Sequence, residues 1–185
     1  MRAGLLVEFG GLPGTGKSTL ARWLADETGA VWLRIDEIEN AMQRNGLTAE
    51  QTGVTAYSVA HDVAASHLRR GLTVIADAVN PVEEARLGWR DLAASVGGAH
   101  VVIETTCPDP AEHRQRVESR SSDLPGWVHP TWEEVQRAAT QYQARTDARL
   151  LLDTTRPLED SRQAIWAHLR ETMAGGALSA GGPAS

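Results

Sequence analysis

Short apolar runs alternate along the whole chain with stretches whose apolar residues recur at helical spacing. Leu5-Leu6-Val7-Glu8-Phe9 predicts a short buried strand, and Thr19 to Ala25 predicts a helix shortly behind it. Val31-Trp32-Leu33-Arg34-Ile35 predicts a second strand, ended by Asp36. Ile35, Ile38 and Met42 then share a helical face, and Asn45-Gly46 should close that short helix. Thr48-Ala49-Glu50-Gln51 has the form of a capping box, and a helix is expected from about Val54 to Arg70. Tyr57, His61 and Asp62 fall on its neighbouring turns.

Beyond Gly71, Leu72-Thr73-Val74-Ile75-Ala76 is a β-rich run that ends in Asp77. Asn80-Pro81-Val82-Glu83 has the grammar of a helix start, with Asn80 as N-cap and Pro81 in the first helical position. His100-Val101-Val102-Ile103-Glu104 predicts a fourth strand, and Asp109-Pro110-Ala111-Glu112 opens a helix through about Ser119. Two prolines and a glycine make Ser121 to Pro130 a loop, after which Thr131-Trp132-Glu133-Glu134 starts another helix. Leu150-Leu151-Leu152 is the last strand, and Leu158 to Met173 a closing helix with Ile165, Trp166 and Leu169 on one face. Residues 174–185, rich in Gly, Ala and Ser, are expected to form a disordered tail.

Strands separated by helices in this rhythm call for βαβ crossovers and a parallel sheet covered on both faces. Ligands of such sheets sit beyond the C-terminal strand ends. The residues to inspect are therefore Asp36, Asp77 to Asn80, Thr105-Thr106 and Asp153-Thr154-Thr155.

Composition narrows the class. The chain's 185 residues suit one domain, and a net charge of −6 speaks against a nonspecific nucleic-acid or membrane surface. Cys107 is the single cysteine, so no internal disulfide is possible. With no signal-peptide pattern and no bilayer-length apolar run, a soluble cytoplasmic protein is expected, as monomer or homodimer.

The sharpest chemistry lies in Gly11-Leu12-Pro13-Gly14-Thr15-Gly16-Lys17-Ser18, which fits G-x-x-x-x-G-K-[ST] between a strand and a helix. Such a loop turns backbone N–H groups and the helix's positive end toward one phosphate. Lys17 is the only lysine, beside seventeen arginines, so the compact ammonium stands at the one place where a guanidinium fork would not fit. Gly11, Pro13, Gly14, Thr15, Gly16, Lys17, Ser18 and Thr19 are the candidate nucleotide contacts, with Ser18 offering its hydroxyl to Mg²⁺. A guanine clamp of the Asn-Lys-x-Asp kind would need a second lysine, and an LSGGQ-like signature is absent. The residues after the last strand supply one helix, too few for the extra helical domain of a mechanical AAA+ ATPase.

From about residue 4 to 172 the chain resembles the small P-loop kinases that phosphorylate hydroxyl groups. Among these are gluconate kinase, adenylylsulfate kinase, chloramphenicol phosphotransferase, polynucleotide 5′-hydroxyl kinase and the zeta toxins. The resemblance rests on the P-loop, on Arg34-Ile35-Asp36, on Val74-Ile75-Ala76-Asp77, and on the arginines before the Ser121–Pro130 loop. It implies a three-layer α/β P-loop fold spanning 1–173, with five parallel strands in the order 2-3-1-4-5 and an Arg-bearing lid over about 114–131. It also implies ATP and Mg²⁺ as cofactors and a small-molecule hydroxyl compound as acceptor. In that pattern Asp36 prepares the attacking hydroxyl, and Asp77 resembles the metal-supporting acid, Glu104 being its competitor. Arg116 and Arg120 correspond to lid arginines that steady the transferring phosphoryl group, and Thr154 to a residue beside the adenine. Tyr57, His61, Asn80 and Arg86 are candidates for the acceptor pocket. Two alternatives stay open: a nucleotide or polynucleotide kinase, and a P-loop regulatory ATPase with no small acceptor.

Overall fold

The computed structural model describes residues 4–179. Five strands, β1 (Leu5–Gly10), β2 (Val31–Arg34), β3 (Thr73–Asp77), β4 (Ala99–Thr106) and β5 (Leu150–Asp153), form one sheet. All neighbours pair in parallel and the order is β2-β3-β1-β4-β5, as the resemblance implies. The register Phe9↔Asp77↔Arg34 brings the carboxyl ends of β1, β3 and β2 level. The loops that leave these strands therefore open onto one common rim.

Among the described residues six helices connect the strands, α1 (Lys17–Thr28), α2 (Ile35–Arg44), α3 (Ala49–Leu68), α4 (Glu83–Ser95), α5 (Pro110–Ser119) and α6 (Trp132–Gln141), and a seventh, α7 (Leu158–Ser179), follows the last strand. Strand alternation sorts the core into two layers. Val7, Phe9, Ile75 and Ile103 face Leu20 and Leu24 of α1 and Ile165 and Leu169 of α7. Leu6, Val74 and Ala76 face the other way, onto Ala56, Ala60 and Ala64 of α3 and Trp89 of α4. The alanines recur every fourth residue, so one stripe of α3 presents only methyl groups to the sheet.

Several boundaries differ from expectation. α3 begins at Ala49, because Thr48 and Gln51 close a reciprocal capping box directly before it. α4 begins at Glu83 behind Val82, so neither Asn80 nor Pro81 fills the cap position read from the sequence. Asn80 has φ +50° and is fully buried, its polar groups committed to distant partners. The closing helix continues past Met173 to Ser179, into the stretch where a tail was expected. Residues 180–185 of that expected tail lie outside the described residues.

Candidate active site

The Gly-rich loop joins β1 to α1, and its shape is set from behind. Gly11 has φ +129°, and a Cβ there would lie 2.4 Å from the Thr105 carbonyl oxygen on β4. Gly14 has φ +85°, and a Cβ would meet Val117 of α5 at 2.5 Å. The Thr15 hydroxyl donates to the Leu12 carbonyl (2.8 Å) and lies 2.8 Å from the Thr105 hydroxyl. From α5, the buried His113 donates through Nε2 to the Pro13 carbonyl at 2.8 Å, which fixes its tautomer, while Trp132 packs edge-on against the ring. Gly11 and Thr15 thus brace the loop, whereas Pro13, Gly14, Gly16, Lys17, Ser18 and Thr19 line the cleft in front of it.

That cleft, about 630 Å³, runs along the strand ends from β5 to β2. At the β5 end lie Thr154, Arg156 and Leu158; at the β2 end, Arg34, Asp36 and Val79; the segment after α5 roofs it with Arg120, Asp123, Trp127 and His129. Thr154 joins the strand end to the loop, donating from its hydroxyl to the Thr15 carbonyl at 2.8 Å. Arg116 in turn donates to the Thr154 hydroxyl (2.9 Å) and carbonyl (2.7 Å) and pairs with Glu112. Its guanidinium is thereby engaged in holding the β5 end of the cleft.

Arg120 behaves differently. Its Nε and Nη2 are buried without a partner among the described residues, and burial depresses its pKa, with Asp36 pulling upward and Arg34 downward. A desolvated guanidinium left unpaired beside an anion-binding loop is matched to an incoming oxyanion. Asp77, at the end of β3, also keeps an unpartnered buried oxygen, Oδ2. Burial pushes its carboxyl up, while Lys17, the Ser18 hydroxyl and Arg34 pull the other way. Glu104, the competing acid, is already satisfied by the Tyr142 hydroxyl (2.7 Å) and by Arg149. Of the two acids, Asp77 is therefore the one that keeps a free carboxylate oxygen, and it lies against Ser18 of the P-loop.

The four residues read as an acceptor pocket do not line the cleft. Asn80 sits beneath it as a buried hub: its Nδ2 donates to Glu8 (3.0 Å), Trp89 Nε1 donates to its Oδ1 (3.1 Å), and its backbone N–H donates to the Tyr57 hydroxyl (3.3 Å). Arg86 donates to the carbonyls of Asn80, Pro81, Gln143 and Ala144 and stacks on Tyr142, so it ties α4 to the segment after α6. His61 packs on the Trp89 ring at 4.2 Å, and burial lowers its pKa. The polar groups of Tyr57, Asn80 and Arg86 are engaged in this internal network, whereas His61 Nε2 is buried with no partner among the described residues.

Sequence reasoning missed three contributors: His113, the Arg34–Asp123 pair, and His129 on the roof. His113 sits in α5 with nothing local to mark it, and Arg34 and Asp123 are too far apart in the chain for any motif to join them. Among the described residues no helix is long and apolar enough to cross a membrane.

A family model described as an AAA domain (AAA_33) matches residues 6–143. No curated protein matches the chain. Several solved structures share the fold. A putative kinase from Chloroflexus aurantiacus is 19% identical with a TM-score of 0.73, the match covering 93% of this chain and 99% of that one. A gluconokinase from Sinorhizobium meliloti is 16% identical with a TM-score of 0.69, covering 97% and 99%. The Mycobacterium tuberculosis APS kinase in complex with AMPPNP and APS is 20% identical with a TM-score of 0.65, covering 92% and 99%.

Proposed function

The chain belongs to the AAA domain family AAA_33, and on that premise we propose that it is an ATP-dependent phosphotransferase, moving the γ-phosphate of ATP to a hydroxyl group of a small molecule. The observation that carries this reading is the sharing of one cleft by the P-loop, the unpartnered Arg120 and the Asp36 carboxylate. Phosphoryl transfer asks the protein for alignment and charge neutralisation more than for covalent chemistry. The APS kinase bound to AMPPNP and APS and the gluconokinase that share the fold are in keeping with this class.

In this reading the loop amides, Gly14, Gly16 and Lys17 hold the triphosphate, with Thr154 and Arg116 shaping the β5 end of its seat. Asp36, in the first turn of α2, accepts the hydrogen bond of the attacking hydroxyl and aligns its oxygen on the phosphorus. Arg120 meets the charge that spreads over the equatorial oxygens during transfer. A bound Mg²⁺ would supply neutralisation of the phosphate charge. Ser18 and Asp77 are the residues that would hold it, directly or through water. The roof over 120–131, including His129 and Trp127, excludes water that would otherwise compete with the acceptor.

The test follows the γ-phosphate. With labelled ATP and a panel of hydroxyl compounds, label should move onto an alcohol, and ADP release should rise with that compound's concentration. Label recovered only as free phosphate under every condition would overturn the assignment and leave a regulatory ATPase.

A further inference from the structure

Arg34 closes β2 and its side chain is only 7% exposed, yet it faces the cleft. Its Nη1 donates to both carboxylate oxygens of Asp123 at 2.9 Å, while its Nε is buried with no partner among the described residues. Asp123 belongs to the roof and is itself 57% exposed. The pairing is lopsided: a desolvated cation at the floor is neutralised by a solvated acid that reaches in from a loop. Besides the Arg120 guanidinium, the other charges facing Arg34 are the carboxylates of Asp36 and Asp77. Both are claimed by the reaction in the reading above, one for the hydroxyl and one for the metal. Arg34 also lies at the β2 end of the cleft, across the P-loop from Thr154 and Arg156, and so away from the seat given to the nucleotide base.

We propose that Arg34 is the seat for an oxyanion carried by the acceptor, and that Asp123 occupies that seat as an internal stand-in until the acceptor displaces it. The inference rests on the phosphotransferase reading and narrows it to acceptors bearing a carboxylate, phosphate or sulfate beside the hydroxyl. A tetrahedral or planar oxyanion can engage Nε and an Nη together, a fork that Asp123, bonded through Nη1 alone, leaves incomplete. Displacing the roof acid also links acceptor entry to movement of 121–130, which is further tied to α2 by the Asn40 amide donating to the Pro125 carbonyl at 3.3 Å.

Two measurements on the full chain test it. First, inorganic sulfate is titrated against protein saturated with Mg²⁺–AMPPNP, so that the P-loop is already filled. Removing the competing acid in Asp123→Ala should tighten sulfate about tenfold, the gain expected if the seat is self-occupied about nine-tenths of the time. Arg34→Gln combined with Asp123→Ala should abolish that gain. Equal affinity in wild type and Asp123→Ala, or a gain that survives Arg34→Gln, overturns the proposal. Arg34→Lys, which keeps the charge and loses the fork, provides a milder variant should Arg34→Gln fold poorly, and should retain only part of the gain.

Second, ADP release is compared for hydroxy acids, phosphorylated alcohols and sulfated alcohols, each beside its uncharged analogue. One charged class should be preferred, and Arg34→Gln should erase the preference. A neutral analogue used as well as its acid sinks the inference while leaving the phosphotransferase intact. Absence of stimulation by any compound sinks the phosphotransferase, and the sulfate titration then still decides the anion seat.

Discussion

Arg145 donates through Nη1 to the Glu8 carboxylate at 3.1 Å, and neither side chain has any exposure to solvent. The pair stitches the segment after α6 to the middle of the central strand. Asp147 takes the other face of the guanidinium, and Glu8 also receives Asn80 Nδ2 and lies 3.0 Å from His100 Nε2. Removing one partner strands a charge in a dry place. Arg145→Met should therefore cost about 3–5 kcal/mol in urea unfolding. The double variant Glu8→Gln/Arg145→Met should recover a substantial part of that loss, which a double-mutant cycle would read directly.

If Asp36 prepares the acceptor, Asp36→Asn should keep the hydrogen-bonding shape and lose the basicity. A fall in kcat of about 10²–10⁴ is expected, with ATP affinity changed little. Single-turnover kinetics together with nucleotide titration separates the two effects. An Asn variant with wild-type kcat removes the role assigned to Asp36.

How much of this was legible in the sequence depended on the range of each constraint. The P-loop was, because its glycines, lysine and serine stand at fixed offsets and answer to backbone geometry and phosphate alone. Asp36 and Asp77 were found by the rule that ligands gather at strand ends, and the structure puts Asp36 in the cleft wall and Asp77 beside Ser18. Asn80 obeyed the same local grammar as a helix cap, but Glu8 and Trp89 fix it as a buried hub, and neither is a sequence neighbour. Arg86 likewise looked like a spare cation on a helix and became a strut between carbonyls. Arg116 and Arg120 differ for the same reason. They lie one turn apart, yet Thr154 and Glu112 claim the first and nothing among the described residues claims the second's Nε or Nη2.

His113 acts on the P-loop through one bond, from Nε2 to the Pro13 carbonyl. His113→Ala would leave that carbonyl without its donor and free the loop's first turn, although nothing in the phosphate seat itself is altered. A loss of about 1–2 kcal/mol is expected, equivalent to about five- to thirtyfold in nucleotide Kd. Calorimetric titration with Mg²⁺–ADP checks this. Because the role is one of positioning, melting without nucleotide should shift far less than the melting point of the nucleotide complex.

Glu39 gives the site a pH signature. It lies one turn beyond Asp36 on α2, and burial, with the neighbouring Asp36 charge, pushes its carboxyl from 4.5 up to about 7. A carboxyl whose folded pKa is raised binds more protons in the folded chain than in the unfolded one. Its contribution to stability is then fully present below about pH 4.5 and is lost as pH rises toward about 7. In Glu39→Gln that loss cannot occur. The difference in melting temperature between variant and wild type should therefore move in the variant's favour across this interval and level off above it. A difference that stays flat from acid to neutral pH would show that Glu39 ionises freely in the folded chain, and that the Asp36 neighbourhood is wetter than its burial implies.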